Sequence, residues 1–192
     1  MAGTSIAKAK LPTKFGVFTA CAFCIDGKRG HFVLVKGKVK GKTRVLTRLH
    51  SKCLTGDVFF SKRCDCREQL EKAIRLINKQ GAGLVIYLNQ EGRGIGLFNK
   101  IKAYALQENG FDTFQANVQL GFRPDERGYA DAARIIKALG IRSIRILTNN
   151  PDKPEGLRKN GISITQIIPL KTRPNKFNRK YLQSKKRKGH KL

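Results

Sequence analysis

Leu84-Val-Ile-Tyr-Leu88, followed by the glycine-rich Gly92-Arg-Gly-Ile-Gly96, decides how the rest of the chain reads. Five apolar residues bounded by Gly83 and Asn89 are too few for a helix and predict a buried strand. Beyond the glycines, Ile101, Ala105 and Leu106 recur at helical spacing until Gly110 stops the run. Strand, loop and helix form one unit, and the same order returns downstream. Ser143-Ile-Arg-Ile-Leu147 predicts a strand, a short helix follows Pro151 and ends near Gly161, and Ile162, Ile164 and Ile167 mark a final strand. Leu70, Ala73, Ile74 and Ile77 before Gly81, and the stretch Ala130 to Leu139 before Gly140, complete the helices. Alternating strands and helices from Cys66 onward imply parallel pairing through crossovers.

Upstream the pattern changes. Phe15-Gly-Val-Phe-Thr-Ala-Cys21, His31-Phe-Val-Leu-Val35 and Val45-Leu-Thr-Arg-Leu49 are β-branched or aromatic-rich and separated by Gly27, Gly30, Gly37 and Gly41. That predicts an antiparallel sheet with tight turns. The expected architecture is α+β or mixed α/β: an antiparallel N-terminal sheet joined to a βαβ-type C-terminal half in one domain, residues 1–170. From Lys171 the chain turns polar, so 171–192 reads as a loosely attached basic tail.

With 192 residues, 40% of them hydrophobic, the chain can bury one good core. No apolar run approaches the roughly 20 residues of a membrane helix, and the first ten residues lack a signal-peptide stretch. A soluble cytoplasmic protein is expected. Forty Lys and Arg against 13 Asp and Glu leave a formal charge of +27. Such a surface attracts polyanions, whether nucleotides, RNA or anionic lipid, without choosing among them. The ends carry the excess, since Lys171 to Leu192 holds ten basic residues and no acid.

Five cysteines in such a chain argue for reduced thiols rather than a disulfide framework. Cys53, Cys64 and Cys66 have the spacing Cys-x10-Cys-x-Cys. Three thiolates suit Zn²⁺ and leave a fourth position for water, the arrangement of a catalytic site. The same pattern also fits buried free thiols, and Cys21 with Cys24 offers a rival Cys-x2-Cys. That rival sits in an apparent strand, where i and i+3 face opposite ways.

Longer motifs carry a resemblance. Arg48-Leu-His-Ser-Lys-Cys-Leu-Thr-Gly-Asp57 with Arg63-Cys-Asp-Cys66 closely resembles the zinc-binding signature of GTP cyclohydrolase II. Gln90 to Gln107, Leu120-Gly-Phe with Asp125-Glu-Arg127, and Leu147-Thr-Asn-Asn-Pro-Asp-Lys153 resemble later motifs of that family, in order. The resemblance implies that fold and the conversion of GTP to a 2,5-diaminopyrimidinone ribosyl phosphate, with release of formate and pyrophosphate, early in riboflavin synthesis. It implies one zinc held by Cys53, Cys64 and Cys66, and Mg²⁺ accompanying the triphosphate. Tyr104 would shuttle a proton or orient the ring. Arg127 would attack the α-phosphate with Asp125 as proton acceptor, or stabilise the phosphoryl transition state. Arg48, Gln69, Glu91 and Arg93, with Thr113, Thr148 and Lys153, would contact GTP. A homodimer is implied as well.

Three positions depart from the family's pattern: Lys52 where Glu is usual, Arg67 where Gly is usual, and Gly128 where Asp is usual. They keep alternatives open: a paralogue with altered or partial activity on a purine nucleotide, or a nucleotide- or RNA-binding protein on the same fold.

Overall fold

The computed structural model of the chain describes residues 3–27 and 29–191. Its centre is a seven-stranded mixed sheet in the order β1-β2-β3-β5-β4-β6-β7. β1 (Thr4–Thr13), β2 (Gly16–Ile25) and β3 (Arg29–Lys36) form an antiparallel meander. β4 (Val45–Ser51) leads through the short α1 (Leu54–Asp57) and α2 (Cys66–Gln80) to β5 (Gly83–Leu88). A 3-10 turn (Glu91–Gly94), α3 (Gly96–Glu108), α4 (Gln115–Gln119) and α5 (Ala130–Ala138) intervene before β6 (Ile144–Leu147). α6 (Asp152–Lys159), β7 (Ile164–Ile168) and α7 (Arg179–Arg187) complete the chain.

The expected mixed architecture is present, with two differences in the front half. Val45–Leu49 does not belong to the antiparallel part. β4 pairs in parallel with both β5 and β6 and lies in the middle of the sheet. It is buried on both faces from Val45 to His50, as a central parallel strand requires, although Thr47, Arg48 and His50 interrupt its apolar residues. The junction between antiparallel and parallel halves falls instead at β3 and β5. The second difference is β1, which composition did not announce. Its residues are mostly exposed on both faces, so no hydrophobic alternation marks it, and ten main-chain partners on β2 define it.

Two apolar layers flank the sheet. On one face Ala73, Ile74 and Ile77 of α2 pack on Leu46 and Val85. On the other, Ala132, Ile135 and Ile136 of α5 and Leu157 of α6 pack on Leu49, Ile86 and Ile146. Even and odd strand positions therefore serve different layers, as the pleat dictates. α2 ends where Gly81 takes the left-handed conformation at φ 76°. Because β4 continues into α2 on one face and its neighbour β6 into α6 on the other, their connections diverge. A crevice opens at the C-terminal ends of such strands.

The segment from Lys171 is not the free tail expected. Among its described residues only one apolar side chain, Leu182, is buried, and that residue belongs to neither core cluster. The segment is nonetheless docked through polar contacts: Lys185 Nζ to Asp65 Oδ1 at 3.0 Å, Thr172 Oγ1 to Asp65 Oδ2 at 3.0 Å, and the Lys191 amide to the Asn149 carbonyl at 2.9 Å. Polar partners of this kind leave no trace in hydrophobic periodicity. No helix among the described residues is long and apolar enough to cross a membrane.

Ile146 is fully buried on the central strand pair. Ile146→Ala is expected to lower the unfolding free energy by about 2–5 kcal/mol, read as a lower urea midpoint at unchanged slope.

Candidate active site

The crevice holds a cavity whose wall includes Arg48, Gln69, Arg93, Thr148 and Lys153, with the three cysteines and Tyr104 at one end. Each strand end delivers part of it: β4 carries Arg48 and runs into Cys53, β5 into Glu91 and Arg93, β6 into Thr148 and then Lys153 of α6. Twelve of the thirteen residues singled out from the sequence line this one cavity; Asp125 stands behind it.

Cys53 ends β4's extension, and Cys64 and Cys66 flank Asp65 at the start of α2. Their three Sγ atoms lie within 4.8 Å of one another, with Cys53 and Cys64 3.7 Å apart. A tetrahedral ion with bonds of about 2.3 Å to sulfur sets its ligands about 3.8 Å apart, close to the Cys53–Cys64 separation, so the donor set fits zinc. Gly56 is part of the cradle. A Cβ there would stand 2.8 Å from Cys64 Sγ and 3.1 Å from Cys53 Sγ. The rival pair is split: Cys21 is buried in the core and Cys24 is exposed on β2. Hydrogen bonds from Cys64 and Cys66 pull the Cys53 thiol down, while the same contacts push the thiols of Cys64 and Cys66 up. The cluster thus stabilises a thiolate before any ion arrives.

Residues around the cysteines fix their positions. The Asp57 carboxylate accepts from the Cys53 amide at 3.0 Å, from Tyr87 Oη at 2.8 Å and from His50 Nε2 at 3.1 Å. Lys100 Nζ donates to Cys53 Sγ at 3.2 Å and to Glu91 Oε1 at 2.7 Å. Burial works against the Lys100 charge, but Cys53, Tyr104 and Glu91 outweigh it and hold the ammonium protonated. Glu91 also accepts from the amides of Leu54 and Gly92. It ties the metal loop to the glycine loop, which leaves its carboxylate little capacity for a ligand. Sequence reasoning missed Lys100, Asp57 and His50 as site residues. Asp57 and His50 lay within a quoted motif, and Lys100 precedes Tyr104 by one helical turn.

Tyr104 Oη stands 3.1 Å from Thr55 Oγ1, and burial raises its pKa, so it remains a neutral phenol. Across the cavity Arg48 donates to the Leu147 carbonyl at 2.9 Å and to Gln69 Oε1 at 2.5 Å, while its buried Nε has no partner among the described residues. Burial pushes Arg48 down to about 10. Lys153 is fully buried and driven far below its ordinary value by desolvation, then by Arg48, Arg127 and Lys185. Arg93 occupies a left-handed conformation at φ 60° between Gly92 and Gly94; its guanidinium bonds the Thr113 carbonyl at 3.0 Å and stacks on Phe114. Thr113 therefore meets the cavity partly as a prop for Arg93.

Arg127 and Asp125 form a two-pronged pair, Nε to Oδ1 at 2.8 Å and Nη2 to Oδ2 at 2.5 Å. Burial disfavours the Arg127 charge, yet the carboxylate prevails and holds the guanidinium firmly protonated. Asp125 in turn is held ionised by that partner against its own burial.

A family model described as GTP cyclohydrolase II matches residues 4–169. A GTP cyclohydrolase-2 of Picrophilus torridus is 50% identical over 184 residues, 95% of this chain and 96% of its own length. One of Histophilus somni (strain 2336) is 48% identical over 187 residues, covering 96% and 87%. A riboflavin biosynthesis protein RibBA of Phocaeicola vulgatus is 50% identical over 95% of this chain, which spans only 46% of that longer protein. Three thiols close enough to share a metal ion beside a cation-lined cavity, together with a match over nearly the whole chain, place this protein in the GTP cyclohydrolase II family.

Proposed function

We propose that the chain opens the guanine ring of GTP by zinc-dependent hydrolysis, releasing formate and pyrophosphate and leaving 2,5-diamino-6-ribosylamino-4(3H)-pyrimidinone 5′-phosphate for riboflavin synthesis. One observation carries this reading: a three-thiol cluster at one end of the cavity and a converging set of cations at the other. The first suits hydrolysis of a base, the second a triphosphate, and both fit one nucleotide.

Cys53, Cys64 and Cys66 would hold the zinc, which supplies Lewis acidity and a hydrolytic nucleophile at neutral pH. Lys100 offsets the negative charge of three thiolates by donating to Cys53. Tyr104, neutral and aimed by Thr55, gives a proton to the ring nitrogen as the ring opens. Arg48, Arg93 and Lys153 receive phosphate oxygens. Arg127, locked by Asp125, is the wrong protonation state for a nucleophile. Its role is to neutralise charge on the α-phosphate as pyrophosphate departs. Mg²⁺ enters with the triphosphate, bound chiefly by phosphate oxygens and water. Reduced thiols at three ligand positions need a reducing compartment, so the cytoplasm is the natural setting. A homodimer is supported by exposed apolar side chains on α3 and the preceding metal loop, Phe98, Ile101, Phe59 and Phe60 among them.

Cys64→Ser should remove the zinc, read by metal analysis, and abolish formate release from GTP. Formate at wild-type rate from the metal-free variant would defeat the reading. Tyr104→Phe should retain zinc and GTP affinity and lower the rate of formate release by about 10²–10⁴-fold. Gly56→Ala should weaken zinc retention in a chelator competition, because its methyl enters the space between Cys53 and Cys64.

A further inference from the structure

The docked C-terminal segment faces the cavity rather than the core. Tyr181, Lys185 and His190 all line it, although they are distant in sequence from every other part of the site. Lys185 Nζ lies 4.3 Å from the Tyr181 ring centre and 3.0 Å from Asp65 Oδ1. Asp65 is fully buried between two of the metal-binding cysteines, where it also accepts from Gln69 Nε2 at 2.5 Å and from Thr172. At the far end the Lys191 amide caps the Asn149 carbonyl, next to Thr148. Asn149 itself is bonded through its side chain to both main-chain groups of Leu170, so both ends of the segment are tethered to the rim.

The chemistry of this wall is one-signed. Arg93, Arg127, Lys153 and Lys185 all bear on His190, and burial together with these cations pushes its imidazole down to about 3. Among the described residues, Asp65 and Asp125 pair with Lys185 and Arg127 and are thereby already engaged. A helix serving only as packing would turn apolar residues inward. α7 buries one leucine and Ser184 and presents a phenol and an ammonium to the cavity. Its attachment by a few polar contacts and little apolar area suits a wall that can leave and return.

We propose that residues 172–191 form the closing wall of the polyphosphate chamber, with Lys185 and His190 as phosphate-binding residues and Asp65 as the latch joining this wall to the metal loop. The inference rests on the nucleotide reading above for its substrate, but its ligand is the polyphosphate group alone. An arriving polyanion relieves the repulsion among the cations and holds the wall shut. It also engages Lys185, whose partner Asp65 stands between Cys64 and Cys66 in the chain, so phosphate occupancy and metal-loop geometry are coupled.

The test uses the full-length zinc-loaded chain and three probes in calorimetric titration: GTP, inorganic tripolyphosphate and guanosine. Lys185→Met and His190→Gln keep the length or shape of the side chain, and zinc content and thermal melting check their fold. Tripolyphosphate and GTP are expected to bind roughly 10-fold or more weakly to Lys185→Met, the loss of one charge-assisted hydrogen bond, with a smaller loss for His190→Gln and guanosine unchanged in both. Tripolyphosphate should also slow tryptic cleavage within 176–188 of the wild-type chain, and do so less in Lys185→Met. Wild-type affinity for tripolyphosphate in both variants, or an equal loss for guanosine, would overturn the proposal. Tight tripolyphosphate binding with the expected losses, but no formate from GTP, would defeat the ring-opening reading and leave this one standing.

Discussion

Mutual repulsion among Arg48, Arg93, Arg127, Lys153 and Lys185 is the constraint around which the rest of the site is arranged. All five reach one cavity, where burial weakens screening and like charges raise each other's energy. The protein manages this in two ways. Some cations are given a private anion: Asp125 for Arg127 and Asp65 for Lys185, while Glu91 does the same for Lys100 beside the thiols. Others are left without one and shift toward the neutral state, Lys153 most of all. A chain carrying 40 basic and 13 acidic residues has few carboxylates to spare for the remainder. The anion that balances the cavity has to come from outside, and a triphosphate brings several charges in one piece.

Backbone conformation serves the same end. Gly92, Gly94 and Gly96 all adopt positive φ, and Arg93 is carried with them into a conformation that costs a non-glycine residue of order 1–3 kcal/mol. Its main-chain carbonyl accepts from the Glu126 amide at 2.9 Å, and its guanidinium is held by Thr113 and Phe114. Gly94 must be glycine for a second reason, since a Cβ would meet Glu126 at 2.8 Å. The glycine loop thus clamps the segment bearing Asp125 and Arg127 against the end of β5. Two stretches more than thirty residues apart are brought into one wall by main-chain contact.

The parts that the sequence made legible are those where one physical signal dominates. α2 and α5 were visible in their apolar stripes and closing glycines, β5 in its short unbroken apolar run, and the metal cluster in three sulfurs at ligand spacing. β1 was hidden because both its faces meet solvent, and the sense of β4 because a buried strand looks alike in parallel and antiparallel sheets. α7 was hidden because its attachment is ionic and long-range, Lys185 reaching an aspartate 120 residues away. In the site, the cations followed from motif resemblance, whereas Lys100, Asp57 and Asp65 act through partners that only the fold brings near. Glu91, expected as a GTP contact, lines the cavity and in addition joins two loops through Leu54, Gly92 and Lys100, a structural part that its place in the motif did not reveal.

The three departures from the family's pattern acquire different weights once placed. Arg67 lies in the first turn of α2 with no positive φ, so glycine is not required there. Its guanidinium bonds the Asp57 carbonyl at 3.0 Å, reaches Glu71 at 3.1 Å and covers the Phe60 ring, bracing the metal loop from outside. Gly128 has open space where a side chain would project and no positive φ, so neither sterics nor backbone demands it. It borders a second cleft beside the first, together with Lys52. Of the three, Lys52 alone also lines the principal cavity. The cluster of Cys53, Cys64 and Cys66, the Tyr104–Thr55 contact and the Arg127–Asp125 pair all form with these three residues in place. A changed charge at the rim acts at the range of a Debye length, about 8 Å in physiological salt, and on every anion that approaches. Lys52 thus bears on an approaching anion through its charge, Arg67 on the metal loop through its hydrogen bond to the Asp57 carbonyl, and Gly128 through neither.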